Sequence, residues 1–85
     1  KTIQFLNMTL SNLTKKEKVD LKIKNGLKVI ESGEFLNGQI ENNSILIDIN
    51  GDPIDAVDQI LQMEPERVKW LTYINPNGEK IRLRF

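Results

Sequence analysis

The fold of this chain is decided by residues 45–54, which read ILIDINGDPI. A run rich in β-branched residues that ends in Asn-Gly predicts a strand followed by a tight turn, because Asn and Gly accept the positive φ that such turns require. The Asp-Pro-Ile after the turn resumes an extended path. The stretch therefore predicts a buried strand, a turn at Asn50-Gly51 and a second extended segment.

A short helix is expected directly downstream of this stretch. Asp55 is a plausible N-cap for a helix from Ala56 to about Met63, and a proline two residues later would end it. Val57, Ile60 and Leu61 have the i, i+3, i+4 spacing of one apolar helix face. We expect Val57 and Ile60 to point into the core.

The last third of the chain has the pattern of a β-hairpin. Residues 68–74 are rich in β-formers, and Asn75–Gly78 has turn composition. Residues 80–85 alternate strictly between charged and apolar side chains. Two antiparallel strands joined at residues 75–78 are therefore predicted.

The upstream third predicts a strand, a short helix and another strand. Residues 1–10 mix apolar and polar positions in a β-like way. Thr14 and Glu17 have capping-box spacing, which predicts a short helix through about Asp20. A turn then leads to a strand over residues 27–30. The whole order predicts a single domain over residues 1–85, which is either a small, mostly β, α+β domain or a partly open barrel capped by helices.

Composition excludes several functions. The chain has no cysteine and no histidine, so a Ser-His-Asp or Cys-His catalytic arrangement cannot be built. Lysine plus arginine number 12 and aspartate plus glutamate number 12, so the basic surplus typical of nucleic-acid binding is absent. The apolar runs are too short for membrane insertion. We expect a domain without catalysis or cofactor, and, since it begins without Met, a piece of a larger protein.

Two other chemistries are disfavoured by residue pattern. The aspartates at 48, 52, 55 and 58 lack the spacing of a calcium-binding loop, so turn and helix-cap roles are expected and no metal site is predicted. Trp70 and Tyr73 could stack on bases, but zero net charge favours strand packing.

Several segments together resemble the PDZ family. Residues 26–30, GLKVI, followed by 45–54 resemble its Gly-apolar-x-Val strand and its Ile-Asn-Gly hairpin. The helix at 56–61 and the NPNGE turn at 75–79 continue the family order.

The opening residues narrow this resemblance. Residues 3–10, 13–18 and 21–26 resemble the second PDZ domain of bacterial HtrA/Deg (Do-like) trypsin-type serine proteases. The resemblance implies a circularly permuted, five- to six-stranded, partly open barrel capped by two short helices. It also implies a periplasmic or cell-envelope protein whose serine endopeptidase activity lies in another domain.

The resemblance implies that the domain binds extended or C-terminal protein segments as an added strand, in the service of substrate binding or regulation. The first strand would form one side of the groove and the helix the other. The implied peptide-binding residues are Phe5, Leu6, Asn7, Met8, Asp58 and Leu61. The apolar members would equally suit a strand of the core.

Two departures keep an alternative open. Asn7 stands where the carboxylate-binding loop of PDZ domains usually has glycine, and residues 31–43 are short and polar. The domain could therefore be a structural module that docks onto neighbouring protease or PDZ domains and assembles oligomers, with its groove unused or filled internally. A third possibility is a PDZ domain of another bacterial envelope protease.

Overall fold

The computed structural model describes residues 2–32 and 40–84, and these form a mostly β structure with two short α-helices, as predicted. The strands are β1 (Thr2–Phe5), β2 (Met8–Asn12), β3 (Leu27–Glu31), β4 (Ile45–Ile49), β5 (Asp52–Pro53), β6 (Trp70–Ile74) and β7 (Lys80–Arg84). The helices are α1 (Lys15–Leu21) and α2 (Val57–Leu61), and a 3-10 turn spans Pro65–Arg67. Asn37-Gly38, an Asn-Gly pair whose composition also predicts a turn, lies outside the described residues.

The strands form one antiparallel sheet in the order β1-β2-β3-β4-β6-β7, and β5 pairs with β4 off this path. Seven strands are present in the described part of the chain, where five or six were expected. The sheet does not close into a barrel, because β1 and β7 lie at opposite ends of the strand order. The expected barrel shape is therefore replaced by an open sheet with two edges.

The extra strand comes from a break in the first predicted one. The chain reverses at Leu6 and Asn7, and β1 pairs back along β2 with Phe5 opposite Met8. Leu6 and Asn7 have φ angles of 51° and 64°, so both turn residues are left-handed, as a two-residue hairpin requires. The single strand predicted over residues 1–10 was wrong for this reason.

Helix α1 begins with the predicted capping box. Thr14 Oγ1 accepts from the Glu17 amide at 3.1 Å, and Glu17 Oε1 accepts from the Thr14 amide at 3.0 Å. The helix ends at Lys22, whose φ of 58° places it in the left-handed region. Reciprocal capping explains how seven residues with no buried side chain remain helical.

Helix α2 is shorter than predicted and is capped differently. Ala56 occupies the N-cap position, and no side chain caps from there, so the Asp55 cap was wrong. The Gln59 side-chain oxygen instead accepts from the Asp55 amide at 2.6 Å and the Ala56 amide at 2.9 Å. The Val57 amide donates to Asn12 Oδ1 at 2.8 Å, which fixes the start of α2 beside the end of β2.

The core lies on the face of the sheet that α2 covers. Val57 and Ile60 are buried there, as predicted, in one cluster with buried residues from five of the strands and from the connections between elements. Its buried members are Phe5, Met8, Leu10, Leu27, Val29, Ile40, Leu46, Ile49, Ile54, Val57, Ile60, Val68, Leu71 and Tyr73.

The predicted C-terminal hairpin is confirmed. The Asn75 amide donates to the Glu79 carbonyl at 2.9 Å, and the Gly78 amide donates to the Asn75 carbonyl at 2.9 Å.

Among the described residues, no helix is long and apolar enough to span a membrane.

Candidate functional site

The first hairpin, which consists of β1, β2 and the turn between them, carries four of the six residues expected to contact a peptide. Phe5 and Met8 are buried in the core, with 5% and 0% of their surface exposed. Leu6 is half-buried against the same cluster, and Asn7 is exposed at the hairpin tip. Phe5 and Met8 therefore pack in the core, and a ligand at the hairpin tip could contact only Leu6 and Asn7 of these four residues.

The other two expected residues lie on α2. Asp58 is exposed, and Leu61 exposes 60% of its surface although its neighbour Ile60 is buried. Leu61 is therefore an accessible apolar side chain on the helix that was expected to form one side of the groove. Helix α2 packs against both β1 and β2, so Leu61 belongs to the element that borders the first hairpin.

Strand β1 is an edge of the sheet, since β2 is its only strand partner among the described residues. In a two-residue hairpin the residues that flank the turn form a hydrogen-bonded pair, and bonded and non-bonded pairs then alternate. The backbone groups of Phe5 and Ile3 therefore point toward β2. Those of Gln4 and Thr2 point away from the sheet, where a further strand could pair with them.

The side chains on this edge are polar and accessible. Thr2 and Gln4 are both exposed, and Gln4 Nε2 donates to Thr9 Oγ1 at 2.7 Å across the hairpin. This bond holds the Gln4 side chain over the sheet surface and away from the outer backbone groups. The edge can thus supply backbone hydrogen bonds to an extended segment.

Sequence reasoning missed that β1 already pairs with the strand assigned to peptide binding. The register runs from Thr2 opposite Ser11 to Phe5 opposite Met8 without interruption. The signal that could have shown it is weak, because the turn contains Asn7 but neither glycine nor proline. Leu6 in particular is a residue type that rarely adopts positive φ.

A cavity of about 370 Å³ lies elsewhere, between the end of α1, the start of β4 and the C-terminal hairpin turn. None of the six expected peptide-binding residues lines it. Its lining residues are Glu17, Leu21, Ile23, Lys28, Asn43, Ile45, Ile74, Asn75, Pro76 and Gly78. The cavity has mostly apolar walls and one ion pair, in which Lys28 Nζ lies 3.3 Å from Glu17 Oε2.

In the part of the chain that the structure describes, two titratable groups, Glu17 and Tyr73, have perturbed pKa values. The pKa of Glu17 is lowered, first by its hydrogen bond with the Thr14 backbone and then by Lys28. The pKa of Tyr73 is raised by burial and by the charge of Glu41. Within residues 2–32 and 40–84, no group of three or more acidic side chains is placed to hold a metal ion.

Comparison with known proteins gives no relative for this chain: no protein-family model matches it, and neither the curated proteins nor the solved structures yield a significant match. The geometry of its own surface therefore carries the functional proposal.

Proposed function

We propose that this chain is a PDZ-like module that binds extended protein segments, without catalysis of its own. The observation that carries the proposal is the open edge of β1, whose outward backbone groups at Thr2 and Gln4 lie in a hairpin packed against α2. The resemblance of residues 26–30 and 45–54 to the PDZ signature supports the same function.

The bound segment adds to β1 as a further strand. Backbone hydrogen bonds provide most of the affinity, and contacts with Leu6 and Leu61 provide preference for apolar side chains. Asn7 replaces the glycine whose amide would be most accessible to a free carboxylate, so the preference for a C-terminal over an internal segment is small. We expect weak binding, with a Kd on the order of tens to hundreds of micromolar.

The parent protein in this proposal is a bacterial HtrA-type serine protease of the periplasm or cell envelope, in which the module serves substrate binding or regulation. Its support is the resemblance of residues 3–10, 13–18 and 21–26 to the second PDZ domain of that family. An alternative parent is another bacterial envelope protease. The residues that precede Lys1 in the parent test this, since a trypsin-like active-site motif there would identify a protease.

The direct test is an NMR titration with hydrophobic peptides, each as free acid and as amide. We expect shifts at residues 2–10 and 58–64 that are similar for the two forms. Leu61→Ser should weaken binding. Val19→Ser is the matched control, because Val19 is an exposed apolar residue on the other helix, α1. Equal losses in both variants, or shifts centred on residues 70–84, would contradict the proposal.

A second candidate is the structural docking module, and the pairing of β1 with β2 specifically favours it. Strand β2 pairs with β3 on one side and with β1 on the other. The chain's own β1 therefore fills the position beside β2 that was assigned to a peptide. If the chain is a docking module, the wild-type protein should show no NMR chemical-shift changes when the hydrophobic peptides are added at millimolar concentration. Asn7→Pro imposes a φ near −65° where the turn needs 64°, which opens the hairpin. A gain of peptide binding at β2 in this variant, with the remaining spectrum unchanged, would assign β1 the role of internal occupant.

A further inference from the structure

Strand β7 forms the opposite edge of the sheet and carries a different chemistry from β1. Its only strand partner among the described residues is β6, and the register runs without a bulge from Ile74 opposite Lys80 to Trp70 opposite Arg84. Lys80, Arg82 and Arg84 alternate with half-buried apolar residues and are all exposed. Three cations therefore share one face of a regular edge strand.

These three cations, called the β7 cations below, have no partner within the described part of the chain. The ion pairs found there join Lys18 to Asp55, Lys28 to Glu17 and Arg67 to Glu64. None involves a β7 cation, and no hydrogen bond from their side chains is found among those residues either. The chain as a whole has no net charge, so β7 is a local excess of positive charge in a balanced protein.

The same residues also present the free backbone groups of the edge. The bond from the Asn75 amide to the Glu79 carbonyl makes these two residues a hydrogen-bonded pair. Non-hydrogen-bonded and hydrogen-bonded pairs then alternate along the two strands. Ile81 and Leu83 form the pairs bonded to β6. The backbone groups of Lys80, Arg82 and Arg84 consequently point outward, so a strand added here meets hydrogen-bonding groups and cations at the same positions.

The charges decide what can occupy this edge. Pairing of β7 with β7 of a second copy would place cations opposite cations, which is destabilising. An extended segment with an acidic residue at every second position instead places carboxylates opposite the β7 cations. We propose that the β7 edge binds an extended acidic protein segment as an added strand, at a site separate from β1 and independent of the function proposed for it.

The probe is an acetylated, amidated heptapeptide in which Glu alternates with Thr and Val, compared with the same peptide carrying Gln in place of Glu. Trp70 is the single tryptophan, is half-buried and faces Arg84 across the hairpin, so its fluorescence reports on this edge. Amide hydrogen exchange distinguishes strand addition from loose charge attraction. The Glu peptide should slow exchange at residues 80, 82 and 84, whose amides are free, and leave residues 81 and 83 unchanged.

Variants of exposed residues complete the test. Arg82→Gln should raise the Kd for the Glu peptide roughly two- to fivefold, the size expected for one cross-strand charge pair. Lys15→Gln removes the same charge from α1 and should leave the Kd unchanged. Arg82→Glu should weaken binding more strongly than Arg82→Gln, and added salt should weaken it in the wild type.

Three results would overturn the proposal. These are equal binding of the Glu and Gln peptides, fluorescence changes without slower exchange at 80, 82 and 84, and protection of those amides at high protein concentration without peptide. The last result would show that a second copy occupies the edge. NMR chemical-shift changes at residues 2–10 test only the β1 proposal, whereas exchange at residues 80, 82 and 84 tests only the β7 proposal. Either proposal can therefore be contradicted without affecting the other.

Discussion

Asn50 connects the β4–β5 turn to the segment that enters β6. Its Nδ2 donates to the Arg67 carbonyl at 2.9 Å, and its Oδ1 accepts from the Lys69 amide at 2.7 Å and the Trp70 amide at 3.2 Å. The residue also adopts a φ of 56°, which Asn tolerates better than most residues. One side chain thus satisfies three backbone groups and occupies a left-handed turn position.

Replacing Asn50 with alanine should therefore destabilise the fold. We expect a loss of about 1–3 kcal/mol in the free energy of unfolding, from the lost hydrogen bonds and the strained φ. Urea denaturation measures it. Asn77→Ala is the control, because Asn77 is exposed and its side chain makes no hydrogen bond among the described residues; a similar loss in both variants would contradict the role given to Asn50.

Gly26 is required by a close approach between chain segments. A Cβ at this position would lie 2.6 Å from Cγ2 of Ile45, which is far inside van der Waals contact. Gly26 also has a φ of +153°, so Gly26→Ala should cost about 1–3 kcal/mol from overpacking and backbone strain together. At Gly78 a Cβ would meet no atom within 4 Å, although its φ is +89°. Gly78→Ala therefore measures the backbone strain alone, and thermal unfolding of the pair separates the two effects.

At the scale of elements, α1 shows how a helix without buried residues depends on its cap. The Glu17 carboxylate is stabilised by the Thr14 amide and by Lys28, which lowers its pKa in the folded state. A lowered folded-state pKa means that the unfolded chain binds the proton more tightly. The stabilisation is therefore present above the unfolded pKa and is lost as pH falls through the folded pKa.

We accordingly expect Glu17→Gln to reduce the acid sensitivity of the fold. The wild type should lose more stability than the variant as the pH is lowered through the acidic range, and the two curves should converge at the lowest pH. Denaturation midpoints between neutral and acidic pH measure this difference. Asp20→Asn, on the same helix, is the control; curves that run parallel for wild type and Glu17→Gln would exclude the coupling.

The elements that sequence predicted well are those with strong local signals. A few neighbouring residues are enough to predict the capping box at Thr14 and Glu17 and the turns at Asn50-Gly51 and Asn75–Gly78. The first hairpin was missed because its turn at Leu6-Asn7 depends on positive φ at a leucine, a conformation that leucine rarely adopts. The α2 cap was missed because Gln59 provides it from inside the helix.

The candidate site was harder to predict than the elements. Asp58 and Leu61 lie on the expected helix, but Leu6 and Asn7 lie in a turn where a strand was predicted. The edge that these residues were expected to line depends on where β1 pairs. That pairing is a long-range property of the sheet. The shared face of Lys80, Arg82 and Arg84, in contrast, can be predicted from the alternation of residues 80–84 once the hairpin is assumed.

At the scale of the molecule, the two aspartates between β4 and α2 do not have the turn and helix-cap roles predicted for them. Asp52 lies in β5, and Asp55 pairs with Lys18 of α1. We therefore expect the melting temperature to be unchanged by millimolar calcium, because a ligand that bound only the native state would raise it. Differential scanning calorimetry with calcium and with magnesium tests this, and a rise of several degrees with calcium alone would reveal a site.

The position of β4 in the strand order has a consequence for how the chain reaches this structure. Within the described residues, β4 is the sole strand that joins β1-β2-β3 to β6-β7. An isolated hairpin is marginal in water, so β6-β7 gains little stability until β4 joins it to β1-β2-β3, and that docking closes long loops. The rate-limiting barrier should then contain β4. Ile49→Val should mainly slow refolding, whereas Ile60→Val on α2 should mainly speed unfolding in stopped-flow experiments.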